Sequence, residues 1–181
     1  LLVAEPGAAQ LEGERRVATI VIADVRGSTQ LLEQVGTERW VGLMNHVLQL
    51  LEAEVYRLGG EISQFRGDGL VAFFGAATAH EDDPERAVLA GLAMQTALQR
   101  YARTPGRRGG GDLQLRVGIN TGEVIVTSVG DRQHYSEDTA MGEAITVAAR
   151  MESAAEPGTV LVSAATYALT KADFEWQALG E

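Results

Sequence analysis

Two aspartates stand where chemistry could be done. Asp24 closes the apolar run from Val17 to Ala23. Asp68 sits at the tip of Gly67-Asp68-Gly69, between Glu61-Ile62-Ser63 and Leu70-Val71-Ala72-Phe73-Phe74. Paired carboxylates at one edge of a sheet can hold two divalent metals for in-line attack at phosphorus. Mg²⁺ in particular takes few protein carboxylates and fills its shell with substrate phosphates. Gly27-Ser28-Thr29, just after Asp24, offers helix-start N–H groups to phosphate oxygens. A plainer use of both residues is equally open at this level: Asp24 as a helix cap and Asp68 as a turn residue.

Whether the carboxylates meet depends on the elements between them. Val17 to Asp24 is continuously apolar until its last residue, the pattern of a buried central strand. A helical pattern follows, broken near Gly36, with Thr37 as the expected N-cap of its longer part. Leu43, Val47, Leu50, Leu51, Val55 and Leu58 form its apolar stripe, and Gly59-Gly60 ends it. The runs on either side of Gly67-Asp68-Gly69 read as a hairpin. Strand, helix and strand imply a right-handed crossover that sets the two strands parallel, so Asp24 and the Asp68 turn arrive at the same sheet edge.

The remaining chain extends this pattern. Asp82-Asp83-Pro84-Glu85 starts a helix that runs to about Tyr101. Residues 104–111, with a Pro and three consecutive Gly, read as a surface loop. Leu113 to Ile119 alternates as a strand, and Thr121-Gly122 is expected to turn it into Glu123 to Val126. Residues 130–138 read as a polar loop, and residues 142–154 as a helix carrying Arg150. A strand at Thr159 to Val162, a helix at Ala164 to Thr170 and a final strand from Phe174 complete the pattern. The fold class is α+β, a ferredoxin-like or polymerase-palm βαββαβ core with a C-terminal βαβ-like extension and helices on one face.

Composition narrows the functions. The 181 residues suit one domain, 14–181, preceded by a small, acidic tail or linker, 1–13. A net charge of −10 argues against a nucleic-acid surface. No apolar run is long enough to span a bilayer, and no secretory signal is visible. The absence of cysteine removes disulfides and thiolate chemistry and suits a cytoplasmic setting. The sequence does not begin with Met, so an excerpt of a longer parent with additional regulatory domains is expected. His46, on the long helix, and His80 and His134, in loops, show no metal-ligand spacing, and Trp40 and Trp176 are expected to pack. No glycine loop with Lys of the ATPase type is present.

Four segments in order carry a family resemblance. Ile20 to Thr29 and Arg66 to Gly75 resemble the two metal-binding segments of the class III nucleotidyl cyclases. Arg116-Val117-Gly118-Ile119-Asn120-Thr121-Gly122-Glu123-Val124 is similar to their central strand and turn, and Met141 to Glu152 to the helix carrying their transition-state arginine. The resemblance implies Asp24, Val25 and Asp68 as ligands of two Mg²⁺ or Mn²⁺, and Gly27, Ser28 and Thr29 as substrate contacts. It implies Arg150 as the residue that meets charge on the α-phosphoryl group, for which an always-charged guanidinium is well suited. It implies ATP or GTP as substrate, a head-to-tail homodimer whose two sites each draw on both subunits, and a role in intracellular signalling.

Some positions depart from the family pattern. Gln64 stands where ATP-using members carry Lys, and the partner base-reading position falls on Thr139. An amide and a hydroxyl can each donate or accept, so the pair could read either purine, with Thr139 tilting the reading to ATP. Thr146 replaces the usual ribose-orienting Asn. The only Lys, Lys171, lies upstream of the terminal hairpin that should carry a triphosphate contact; either the excerpt stops before that hairpin or the contact is missing. The leading reading is a slow or promiscuous purine nucleotide cyclase. The alternative is a catalytically silent cyclase-like module that binds nucleotide or dimerises and regulates an attached domain. A diguanylate cyclase fits less well, because the hairpin tip reads Arg-Gly-Asp-Gly and lacks that family's acidic signature.

Overall fold

The computed structural model describes residues 13–103, 113–129, 132–133 and 143–178. The loop expected over 104–111, most of the 130–138 segment, His134 and Thr139 lie outside them. The expected βαββαβ order is present. Strand β1 (Gly13–Arg26) leads through helices α1 (Ser28–Val35) and α2 (Thr37–Arg57) to β2 (Glu61–Arg66) and β3 (Gly69–Phe74). Helix α3 (Asp83–Ala102) then returns the chain to β4 (Gln114–Val129). The short β5 (Arg132–Gln133), α4 (Glu143–Ala154), β6 (Val160–Val162) and α5 (Ala164–Thr170) follow. Among the described residues these strands form one sheet in the order β2-β3-β1-β4-β5, with β6 parallel to β4.

The central strand β1 pairs antiparallel with β3 on one side and with β4 on the other. Because β2 is antiparallel to β3, β1 and β2 run the same way, as the crossover rule requires, but with β3 between them. Val21, Ala23 and Val25 pack on one face with α2 and α3, through Val47, Leu51, Met94 and Leu98. Ala18, Ile20 and Ile22 point to the other face, where Ala144 and Ala148 of α4 cover them. Helices therefore lie on both faces, not on one. A strand apolar at every position needs cover on both sides, and α4 supplies the second layer.

Three further expectations are corrected. Thr37 is the first residue of α2, and the cap position is Gly36, whose φ of 79° breaks the helical pattern. Thr121-Gly122 makes no turn: β4 runs straight through, paired to β1 from Gln114 to Thr127. The Thr121 hydroxyl is bonded to Thr19 Oγ1 at 2.9 Å and Thr166 Oγ1 at 3.1 Å. A Cβ on Gly122 would lie 3.0 Å from that of Ala144, so this glycine serves helix packing. Phe174 to Trp176 forms no strand; Trp176 stacks edge-on with Tyr167 and Phe174 at 5.5 and 5.6 Å. Strand β1 starts at Gly13, one residue before the expected domain start.

Candidate active site

Asp24 and Asp68 come to the same corner of the sheet. Asp24 faces Gly69 across the β1–β3 ladder and Arg116 across the β1–β4 ladder. The next residue clasps the hairpin, with the Val25 N–H donating to the Asp68 carbonyl at 3.0 Å. In an antiparallel strand a residue's N–H and C=O leave on the same side, so the Val25 carbonyl is also directed toward the Asp68 turn. Two glycines permit the approach. Gly67 takes a φ of 59°, and a Cβ on Gly69 would sit 2.5 Å from the Ala23 carbonyl oxygen.

The helix start completes the corner. Gly27, with φ 86°, caps α1 without a side-chain hydrogen bond, so Asp24 is not the helix cap. Ser28 is buried; its hydroxyl donates to Asp68 Oδ2, and its carbonyl accepts the Trp40 indole N–H at 2.8 Å. Asp68 is thus more than a turn filler, since a buried hydroxyl fixes its carboxylate. Thr29 is exposed on the first turn of α1.

On the other side of Asp24 lies a charge network in residues to which the sequence reading assigned no role. Arg116 Nη2 donates to Asp24 Oδ2 at 3.2 Å and pairs with Glu152 Oε1 at 2.6 Å. Arg116 and Glu152 side chains are only 17% and 12% exposed. Burial pushes the Glu152 carboxyl above its ordinary range; the Arg116 guanidinium opposes this shift and the neighbouring Asp24 charge adds to it. The available signal was weak: one Arg in an otherwise alternating strand and one Glu late in a short helix.

The other candidates lie on the α4 side of the sheet. Gln64 is half-buried on β2, just after a bulge, and pairs with Val71, a residue of the face that α4 covers. Thr146 and Arg150, four residues apart on α4, are exposed, and among the described residues neither bonds to Asp24 or Asp68. Thr139 lies outside the described residues. His46 is exposed and stacks near Tyr101 at 5.2 Å, which leaves it no place at this corner.

The donor set at the corner suits a hard divalent cation. It consists of two carboxylates and a backbone carbonyl, all oxygen. Each carboxylate keeps one oxygen without a hydrogen bond among the described residues. No group of three or more His, Cys, Asp or Glu gathers among those residues. That sparse set fits Mg²⁺ or Mn²⁺ completing its shell with water and phosphate, and does not fit a closed structural site.

Comparison with known proteins matches nearly the whole chain to one family. The family model described as the adenylate and guanylate cyclase catalytic domain matches residues 12–181. The guanylyl cyclase Cya2 is 33% identical, with a TM-score of 0.75 over 87% of this chain and 79% of that one. The adenylyl cyclase CyaB from P. aeruginosa is also 33% identical, with a TM-score of 0.77 over 90% of this chain and 84% of that one. Adenylate cyclase 1 of Rhizobium meliloti (strain 1021) is 30% identical over 168 residues, which are 92% of this chain and 25% of that protein. The chain spans 15% and 31% of the first two curated relatives it matches, from R. meliloti and Mycobacterium bovis.

Proposed function

The chain belongs to the adenylate and guanylate cyclase catalytic-domain family, and on that premise we propose that it converts a purine nucleoside triphosphate to the 3′,5′-cyclic nucleotide and pyrophosphate. The observation that carries this reading is the convergence of Asp24 and Asp68, locked by the Val25-to-Asp68 backbone bond at 3.0 Å. Asp24, Asp68 and the Val25 carbonyl would hold two Mg²⁺ or Mn²⁺, which when bound would activate the ribose 3′-hydroxyl and neutralise the triphosphate. The new bond forms between the 3′-oxygen and the α-phosphorus. The bond from that phosphorus to the bridging oxygen breaks, pyrophosphate leaves, and the 3′ proton is lost. Ser28 keeps Asp68 oriented, and the first turn of α1 at Gly27, Ser28 and Thr29 presents N–H groups to phosphate oxygens.

Arg150 takes the charge that develops on the α-phosphoryl group. Its exposure on α4 beside Thr146, on the sheet face shared with Gln64, supports a head-to-tail homodimer in which these residues serve the partner's carboxylates. Thr146 positions the ribose, and Gln64 with Thr139 reads the base. ATP is the preferred substrate on the strength of Thr139. Equal identity to a protein titled a guanylyl cyclase and one titled an adenylyl cyclase does not separate the two. A cytoplasmic signalling role within a longer regulated protein follows from this reading; among the described residues no helix is long and apolar enough to cross a membrane.

The test is a side-by-side assay with Mn²⁺ and either ATP or GTP. Cyclic AMP should form faster than cyclic GMP. Gln64→Lys should raise the ATP preference about tenfold, the worth of one good hydrogen bond to a charged group. Absence of both products in a form extended beyond Glu181 would sink the cyclase reading, and an unchanged ratio in Gln64→Lys would remove Gln64 from base recognition.

A further inference from the structure

The Arg116–Glu152 pair sits immediately behind one of the two carboxylates and is not needed to close the fold. Helix α4 is already seated by other means. Its first turn is held by Asn120 Nδ2 donating to the Ala144 carbonyl at 2.9 Å, and its backbone rests directly on Gly118. A nearly buried ion pair is costly to desolvate and is weak grounds for stability on its own. The pair is instead aimed at one atom. Arg116 Nη2 lies 2.6 Å from Glu152 Oε1 and 3.2 Å from Asp24 Oδ2, and Nη1 reaches the Ser153 carbonyl at 3.4 Å.

Resting on the metal-dependent reading above, we propose that Arg116 and Glu152 are positioning residues for Asp24. Glu152 anchors the Arg116 guanidinium on α4, and Arg116 holds one oxygen of Asp24, which leaves Oδ1 available to a cation. One guanidinium between two carboxylates leaves the corner net negative, so the clamp orients Asp24 without cancelling its attraction for a cation. Partners one shell out from a metal typically set ligand orientation in this way, and their loss costs about 10- to 100-fold in metal affinity.

Two variants separate positioning from simple charge. Glu152→Ala and Glu152→Gln remove the same charge, but Glu152→Gln keeps a polar side chain of the same length packed against the Arg116 guanidinium. Equilibrium Mn²⁺ binding to the full chain, counted by electron paramagnetic resonance of the free ion, is the readout. Glu152→Ala should weaken Mn²⁺ binding about tenfold and Glu152→Gln by less than about threefold, with thermal unfolding showing both folded. Equal weakening in the two variants, or none in Glu152→Ala, overturns the proposal. Wild-type binding that is absent, or that survives Asp24→Ala, overturns it too. A protein that binds Mn²⁺ with the predicted ranking yet makes no cyclic nucleotide would refute the cyclase reading and leave this one standing.

Discussion

The corner at Asp24 and Asp68 and the outer face of α4 are built on opposite principles. At the corner both carboxylates are tied down. Ser28 holds Asp68, Arg116 holds Asp24, and Val25 joins the two backbones. On α4, Thr146 and Arg150 stand in solvent with no hydrogen bond or ion pair among the described residues, although two residues further on Glu152 is buried in the corner network. A catalytic arginine is useful only where it is positioned and desolvated. On the reading proposed above, the contrast is that of a finished carboxylate half-site and an unfinished arginine half-site in one chain, which the proposed head-to-tail dimer would complete.

The comparison breaks most cleanly by disabling each half separately. Asp68→Ala should lower kcat at least about a thousandfold, since several kcal/mol of metal-dependent stabilisation disappears. Arg150→Ala should lower it about a hundred- to a thousandfold while leaving Mn²⁺ binding intact. Mixed together, the two inactive proteins should recover about a quarter of wild-type activity, because half the dimers are mixed and each mixed dimer has one intact site. If mixing restores nothing while native mass spectrometry shows mixed dimers, the two halves do not belong to a shared site.

A smaller effect tests how the halves are joined through α4. A Cβ at residue 118 would overlap the Glu152 amide nitrogen and the Ala148 carbonyl, both backbone atoms that cannot step aside. Gly118→Ala should therefore lift α4 from β4 and cost about 3 kcal/mol of stability, read as a fall in the urea midpoint at unchanged m-value. It should loosen the corner as well, because Glu152 moves with the helix. A stable Gly118→Ala protein would mean that α4 is less firmly seated than the sheet packing implies.

The corner was legible in the sequence because its geometry follows from chain order. An apolar run ending in Asp24, a crossover and a Gly-Asp-Gly tip leave the two carboxylates no other end of the sheet. The α4 side was less legible because its contacts are decided by packing. Gly122 carried a turn signal, yet it lies flat in β4 to make room for Ala144. Helices were expected on one face because the antiparallel pattern suggested it, whereas the unbroken apolar run of β1 already demanded two covered faces. Arg116 and Glu152 gave no local sign of their partnership, which exists only once α4 rests on Gly118. Thr139 falls outside the described residues, so base recognition stays a matter of residue type.

The finest distinction concerns the charge that ties α4 to the corner, and it can be read without substrate or metal. The Glu152 carboxyl is raised above its ordinary 4.5, first by burial, then against the pull of Arg116 and with the added push of Asp24; Ser153 and Arg26 lower it slightly. The folded protein therefore holds this proton more tightly than the unfolded chain does. Below pH 4.5 both states are protonated and the residue contributes no pH dependence. As pH rises from there through the raised folded value, the native state binds more protons than the unfolded one, so the contribution to stability falls, and it is flat above. Glu152→Gln cannot titrate and removes this slope, while acidic groups remote from the Arg116 network act alike in both proteins and cancel in the difference. Denaturant titrations in EDTA from pH 4.5 upward should thus show wild type losing stability relative to Glu152→Gln with rising pH. A difference that stays level would mean that the Arg116 charge offsets burial, and one that moves in favour of wild type that it outweighs burial, so that the helix is tied to the corner by an attractive ion pair in the ordinary sense.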